Sequence, residues 1–296
     1  MELDDHSTEM LPSNWGRWGI DDEIGTLNLI TDDVRARAVA EARVGTSVSL
    51  AMPVDPASMM GGPFAPPTPS SPPVLQAMLY TGAPPMAMAE VLIMSPHHAG
   101  LTHLDAVVHV PVDGEIYPGR PLADAVDAGG VRHGSTAAFA DGVVTRGVLL
   151  DLSPGSRLPS AHPVTGADFD AAERRIGVHV EPGDALVVRG GWSATRDMGE
   201  PMPGMTLDAI AWMHERDVAV YAGDIGDAHP PVDRQLPMPL HQVGLARLGM
   251  PLVDLADVDE LSTVCDGLGR WTFLLTLAPL RLRGATGVPV NPLAIF

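Results

Sequence analysis

The sequence predicts a mixed α/β chain of the α+β kind, with helices set around a mixed sheet. Three observations carry this. Hydrophobic residues fill 45% of 296 positions while aromatics supply only 4%, so a sizeable core must be built mainly from Leu, Val, Ala and Met. Short apolar runs bounded by turn residues recur along the chain and read as buried strands. Helical stretches lie between them, but without the regular alternation of a doubly wound sheet.

Taken in order, residues 14–30 carry Trp15, Trp18 and three glycines among acids, an irregular segment pinned by aromatic anchors. Thr31 then caps a helix running from Asp32 to Arg43 and closed by Gly45. Its acids fall in the first turn and Arg43 in the last, as the helix dipole prefers. Ser47 to Met52 alternates like a strand. From Pro53 to Pro85 the composition shifts to Pro, Gly, Ser and Met. The run from Pro66 to Pro73 excludes a helix or a central strand. This stretch reads either as a linker between domains or as a long flap over a site, and the expectation is a flap or arm, at about 53–85, on a single domain spanning 1–296. Met59, Met60 and Met78 would give it an adaptable apolar lining.

Asp113-Gly114 and Pro118-Gly119 are turn dipeptides. Val143 to Leu152 and Ala185 to Arg189 read as buried strands, with a helix from Thr165 to Arg175 between them. Thr206 caps a further helix whose Leu207, Ile210 and Met213 share a stripe. Val218 to Ala222 is a strand that closes into Gly223-Asp-Ile-Gly-Asp227. His241 to Leu248 is a short helix stopped by Gly249 and Pro251, and Phe273 to Leu282 is the last long strand. There is no internal repeat, phosphate-cradling loop or dinucleotide fingerprint.

The formal net charge of −19 argues against nucleic acid or an anionic membrane as partner, since both require a basic footprint. A single cysteine, Cys265, excludes an intramolecular disulfide and any Cys-rich zinc module. The acidic N-terminus lacks a secretory layout, and no apolar run approaches the ~18–20 residues of a membrane span. The expected location is cytoplasmic, and the expected partner is a small-molecule substrate.

Chemistry concentrates in Met94 to Val110. Four histidines and an aspartate, His97, His98, His103, Asp105 and His109, lie within thirteen residues. On an extended strand His103, Asp105, Val107 and His109 would share a face. Two imidazoles and a carboxylate converging on one point suit a borderline divalent cation, Zn2+ or Mn2+. Farther along, His241 opens a short helix and Asp254 follows Pro251-Leu-Val253. Arg189, at a strand end, is a candidate for a substrate carboxylate or carbonyl, and a salt bridge is its structural alternative. Asp224 and Asp227 fall at the site rim or serve the turn. There is no Gly-x-Ser-x-Gly elbow to support a serine hydrolase.

Thr102-His-Leu-Asp-Ala106 followed by His109 resembles the core of the metal-dependent cyclase family, His-x-Gly-Thr-His-x-Asp-x-Pro-x-His, which includes bacterial kynurenine formamidase and isatin hydrolase. Trp18-Gly-Ile-Asp-Asp-Glu-Ile-Gly-Thr-Leu-Asn28 resembles the N-terminal signature of longer members. Arg189-Gly-Gly-Trp192 stands where they carry Arg-Thr-Gly-Trp. His241-Gln242, Pro251 to Leu255, and Ala278 to Pro292 follow in family order, so the likeness spans most of the chain.

The resemblance implies a swivelling β/β/α fold with a mixed, barrel-like sheet and a homodimer or homotetramer. It implies His103, Asp105 and His241 as metal ligands, with His109 as general acid/base. Asp254 would be a ligand able to take a second metal, at a position where the family usually has glutamate. The compact pattern wants a histidine where this chain has Ala99. Strand parity favours His97 as the upstream ligand, while a bulge at Gly100 would deliver His98. Val107 replaces the usual proline. The expected activity is hydrolysis of an amide, lactam or related C–N bond, with a metal-dependent lyase or dehydratase, or a non-catalytic metal or ligand-binding protein, as the alternatives.

Overall fold

A computed structural model describes residues 11–58, 72–192 and 199–296. Met59, Met60 and most of the proline run from Pro66 to Pro73 therefore lie outside the described residues, as does the acidic N-terminus. The principal strands are β1 (Ser47–Ser49), β2 (Ala57–Ser58), β3 (Val74–Thr81), β4 (Ala87–Met94), β5 (His103–Asp105), β6 (Val143–Asp151), β7 (Ala185–Arg189), β8 (Val220–Gly223), β9 (Leu252–Asp254), β10 (Thr272–Leu277), β11 (Gly287–Pro289) and β12 (Leu293–Ile295). The longer α-helices among the described residues, α1 (Asp32–Val39), α2 (Gly166–Ile176), α3 (Leu207–Glu215) and α4 (Asp259–Leu268), accompany them.

Nine strands form one mixed sheet in the order β1-β12-β10-β6-β7-β8-β9-β5-β11. β6, β7, β8 and β9 run parallel, and the flanking pairs are antiparallel. Strand alternation divides the apolar residues between two cores. Val148, Leu150, Leu186, Val188 and Leu252 meet Phe169 of α2 and Ile210 and Met213 of α3. Leu149, Val187, Ala222 and Val253 face the other way, toward Val34 of α1 and Leu261 and Cys265 of α4. Both faces of the parallel centre are thus covered, which explains why its strands read as continuous apolar runs rather than alternating ones.

The threonine caps behave as their chemistry requires. Thr31 accepts from the Val34 N–H, Thr206 from Ala209, and Thr165 forms a capping box with Asp168. Several boundaries differ from the sequence reading, among them the end of β1, at Ser49 rather than Met52. α1 stops at Val39 instead of Arg43, because the N–H groups of Val44 and Gly45 donate to the Phe296 carbonyl and draw the chain into the sheet. β10 stops at Leu277, just before Pro279, which has no N–H to continue the ladder. The helix expected from His241 is a π-helical turn, Leu240–Leu245.

Several elements carry no expectation from sequence: α4, the strands β2, β11 and β12, and the hairpin of β3 and β4, which pair antiparallel from Val74↔Met94 to Thr81↔Ala87. β3 lies inside the span expected to be a flap, and it begins directly after Pro73. Among the described residues no helix is long and apolar enough to cross a membrane.

Candidate metal centre

β5 is three residues long and wedged between β9 and β11, with all three residues buried. Leu104 points into one core, so His103 and Asp105 face the opposite way. Asp254 pairs directly with His103 and shares that face. The strand does not continue to His109 as parity predicts. It ends at Asp105, and Val107 and Val108 turn into the core. The His109 N–H donates to the Ala106 carbonyl at 2.9 Å, so a turn rather than strand alternation presents its ring.

Asp105 is the hub. Its Oδ1 lies 2.8 Å from His97 Nδ1 and 3.4 Å from His103 Nε2. Its Oδ2 lies 3.5 Å from His241 Nε2, which is 3.8 Å from Asp254 Oδ2. Ligands held about 2.1 Å from a tetrahedral ion sit about 3.4 Å from one another, so these separations fit a common ion. Two sets, His97–Asp105–His109 and His103–Asp105–Asp254, each offer donor atoms within 4.8 Å of one another. His109 stacks on His97 with ring centroids 3.5 Å apart and planes 2° from parallel.

The second nitrogen of each inward histidine is tied down. His241 Nδ1 bonds Asp227 Oδ2 at 2.6 Å, His103 Nδ1 bonds the Leu101 carbonyl at 2.8 Å, and His97 Nε2 meets Thr286 Oγ1 at 2.9 Å. Such partners orient metal-binding imidazoles, and the acceptor-only Asp227 carboxylate and Leu101 carbonyl place the proton of His241 and His103 on Nδ1, leaving Nε2 to face inward. Meanwhile His97 Nδ1 and both Asp105 oxygens are buried without a hydrogen bond of acceptable geometry. Buried polar groups are rarely left so, and a coordinated cation would satisfy all three. Gly287, opposite Asp105 on β11, makes room for this arrangement: a Cβ there would fall 2.4 Å from His97 Cε1.

The electrostatics follow from burial and crowding. Burial opposes the Asp105 charge, but the imidazoles of His241 and His97, then those of His103 and His109, outweigh it and hold the carboxyl well below the usual range. Burial, reinforced by the other three histidines, lowers His109 to about 4 despite Asp105. For His241 burial is overcome by the adjoining Asp105 carboxylate, by the hydrogen bond to Asp227 and by the charge of Asp254, which raise it well above its ordinary value. Asp254 is raised, chiefly by burial.

With this geometry in hand, the comparisons decide the family. The cyclase family model matches residues 48–228. A solved structure described as a novel cyclase shares 30% identity over 98% of this chain and 99% of its own, with a TM-score of 0.83. The chain belongs to the cyclase family. Isatin hydrolase A from Labrenzia aggregata is 23% identical over 91% of this chain and 98% of that one, with a TM-score of 0.61. The Ralstonia solanacearum enzyme of the same name is 21% identical over 88% and 94%, with a TM-score of 0.59. These two likenesses establish the shared mixed α+β fold. Comparison with curated proteins gives no match.

Within this cyclase-family fold, His97, His103, Asp105, His109, His241 and Asp254 come together. His98 is turned away, its Nδ1 accepting from the Gly100 N–H at 2.9 Å. Arg189 is engaged elsewhere: its Nε donates to Asp259 at 2.7 Å, and its Nη1 to Asp151 and to the Ser153 and Ser156 carbonyls. Those contacts tie β7 to β6 and α4. Asp224 accepts from the backbone N–H groups of Gly190 and Trp192, a turn-anchoring role. Thr286 and Gly287 were not singled out in the sequence, although both lie in the Ala278 to Pro292 stretch. Only the chemistry of that short Thr-Gly pair signals them, and it names no partner.

Proposed function

We propose that this protein is a metal-dependent hydrolase that cleaves an amide, lactam or related C–N bond of a small carbonyl compound. The observation that carries the reading is the Asp105 carboxylate, buried with neither oxygen hydrogen-bonded, beside inward nitrogens of His97, His103 and His241. That donor set suits Zn2+ or Mn2+, with Asp254 as a further ligand. A divalent ion bound there supplies Lewis acidity, lowering the pKa of water towards 7 and polarising a carbonyl.

The remaining work falls to the chain. His109 is neutral at pH 7 because burial lowers it to about 4, so its free nitrogen can accept the proton of the attacking water. The new bond joins the water oxygen to the carbonyl carbon, the C–N bond breaks, and protonated His109, a strong acid in this setting, returns the proton to the leaving nitrogen. Asp227 and Thr286 keep His241 and His97 in register. The isatin hydrolases of similar fold make cyclic amides the first substrates to try.

The test is turnover of isatin and N-formylkynurenine by the metal-loaded protein, followed spectroscopically. Activity that disappears with a chelator and returns with Zn2+ or Mn2+ is expected. Elimination of water from a hydroxy-ketone panel, with no hydrolysis of either amide, would assign the site to a lyase instead.

A further inference from the structure

We propose that Glu23 and Gly134 are positioning residues for His109, and that with Thr136 they clamp the stacked His97–His109 pair from behind. The proposal rests on the hydrolase reading above, in which His109 moves the proton. It gives a task to the stretch from Trp18 to Asn28, whose side chains bond away from the metal centre.

His109 leaves β5 through a turn that its own N–H closes on the Ala106 carbonyl. Val107 and Val108 hold that turn down by burying their side chains, and Gly134 packs directly behind them. Gly134 has a φ of +73°, in the left-handed region that favours glycine. A Cβ there would fall 2.9 Å from Val107 Cγ2 and 3.6 Å from Val108 Cβ, so only glycine passes this close to the turn. Glu23 fixes the glycine in place, its Oε2 accepting the Gly134 N–H at 2.7 Å. The neighbouring Asp22 shapes the segment that carries Glu23. Its carboxylate accepts the Gly25 N–H at 2.8 Å, Asn28 Nδ2 at 2.9 Å and the Tyr117 hydroxyl at 2.8 Å. The two acids thus grip both ends of the stretch from Tyr117 to Gly134, which follows the His109 turn.

The same backing segment reaches His97. Two residues past Gly134, buried Thr136 donates its N–H to the Ala285 carbonyl at 3.1 Å and its hydroxyl to the Leu282 carbonyl at 3.4 Å. Thr286, next in the chain, meets His97 Nε2 with its hydroxyl and accepts the Ala106 N–H on its carbonyl, both at 2.9 Å. Residues 134–136 therefore touch the support of each ring in the stack, whose centroids lie 3.5 Å apart. A general base must keep its nitrogen within hydrogen-bond reach of the water it deprotonates. Without the Glu23 carboxylate, the buried Gly134 N–H loses its acceptor and the segment behind His109 is free to shift.

The test compares Glu23→Ala with Glu23→Gln, which keeps an acceptor for the Gly134 N–H. Misplacing a catalytic group by about 1 Å costs on the order of 10²-fold. Glu23→Ala is expected to lose that much in kcat with KM and bound metal unchanged, and Glu23→Gln to recover most of the loss. Gly134→Ala, which presses on the turn itself, should show the same split. Asp168→Ala removes a comparable carboxylate from the Thr165 N–H, 2.8 Å away at the start of α2, and should lower Tm without altering kcat. A second readout is independent of turnover. Stacked rings shield one another, so NMR of the full chain with labelled histidine should place the His97 and His109 ring protons upfield of those of exposed His229. Glu23→Ala and Gly134→Ala should move them back, and Glu23→Gln should not. If the native protein hydrolyses no amide, the hydrolase reading falls and the NMR comparison alone decides the clamp. Native ring shifts in folded Glu23→Ala would overturn the proposal. So would a Gln variant as impaired as the Ala variant, or an equal kcat loss in Asp168→Ala.

Discussion

Asp227 Oδ2 lies 2.6 Å from His241 Nδ1, and the same carboxylate accepts the backbone N–H of Leu240 at 2.7 Å. One side chain therefore anchors the π-helical turn and aims the ring it carries. Second-sphere partners of this kind are typically worth 10–100-fold in metal affinity. Asp227→Ala is expected to weaken Zn2+ binding on that order in a competition titration with a chromophoric chelator, while Asp227→Asn, which keeps an acceptor, should lose less.

A methyl group on Gly287 would meet His97 Cε1 at 2.4 Å. Overpacking a buried position generally costs about 1–3 kcal/mol, and here the His97 ring stands in the way. Gly287→Ala should lower metal affinity by roughly the same 10–100-fold as loss of a second-sphere partner. Thermal denaturation with and without metal separates that effect from general destabilisation, because the metal-induced rise in Tm should shrink.

His109 and Asp105 should separate cleanly. His109→Ala is expected to keep its metal but lose on the order of 10²–10⁴-fold in kcat, the usual worth of a general acid–base. Normal turnover by that variant would remove His109 from the mechanism.

The pH dependence of metal uptake follows from His241. Its folded pKa is raised by Asp105, Asp227 and Asp254 against burial, which favours the protonated imidazole in the metal-free site. That protonation stabilises the metal-free fold fully below the ordinary His pKa of about 6.5 and less as pH rises through the folded value. His109 acts in the opposite sense: lowered to about 4, it contributes stability above about pH 6.5 that is lost as pH falls toward 4. With His241 as a ligand, as proposed, binding displaces its proton, so affinity should rise as pH rises. Calorimetry in buffers of different ionisation enthalpy should show proton release that diminishes in His241→Ala.

Cys265 is pushed up to about 12, mainly by burial and also by Asp266. The thiolate is the reactive form, so at pH 8 a thiol reagent should label the native chain negligibly and the denatured chain fully.

Much of this fold can be read from the sequence because its signals are local. The apolar runs of β6 and β7 and the threonine caps at Thr31, Thr165 and Thr206 each declare themselves within a few residues. Parity places His103 and Asp105 on one face for the same reason. Other features depend on residues far away in the chain. β5 ends at Asp105 because Val107 and Val108 bury in a core assembled from distant strands. Asp227 finds His241 only through the return from β8 to the π-helical turn. Arg189 is committed to Asp151 and Asp259, contacts that no spacing announces. The choice of His97 over His98 depends on Thr286 and on the missing side chain of Gly287, both nearly two hundred residues downstream.

In the function proposed above, Asp105 holds a divalent metal together with His97, His103 and His241. Elemental analysis of the purified chain after loading with Zn2+ or Mn2+ and desalting, with Asp105→Ala alongside, tests it most directly. Stoichiometric metal is expected in the native protein and none in the variant, with both folded by circular dichroism. A variant that retains its metal, or a native chain that binds none, would contradict it.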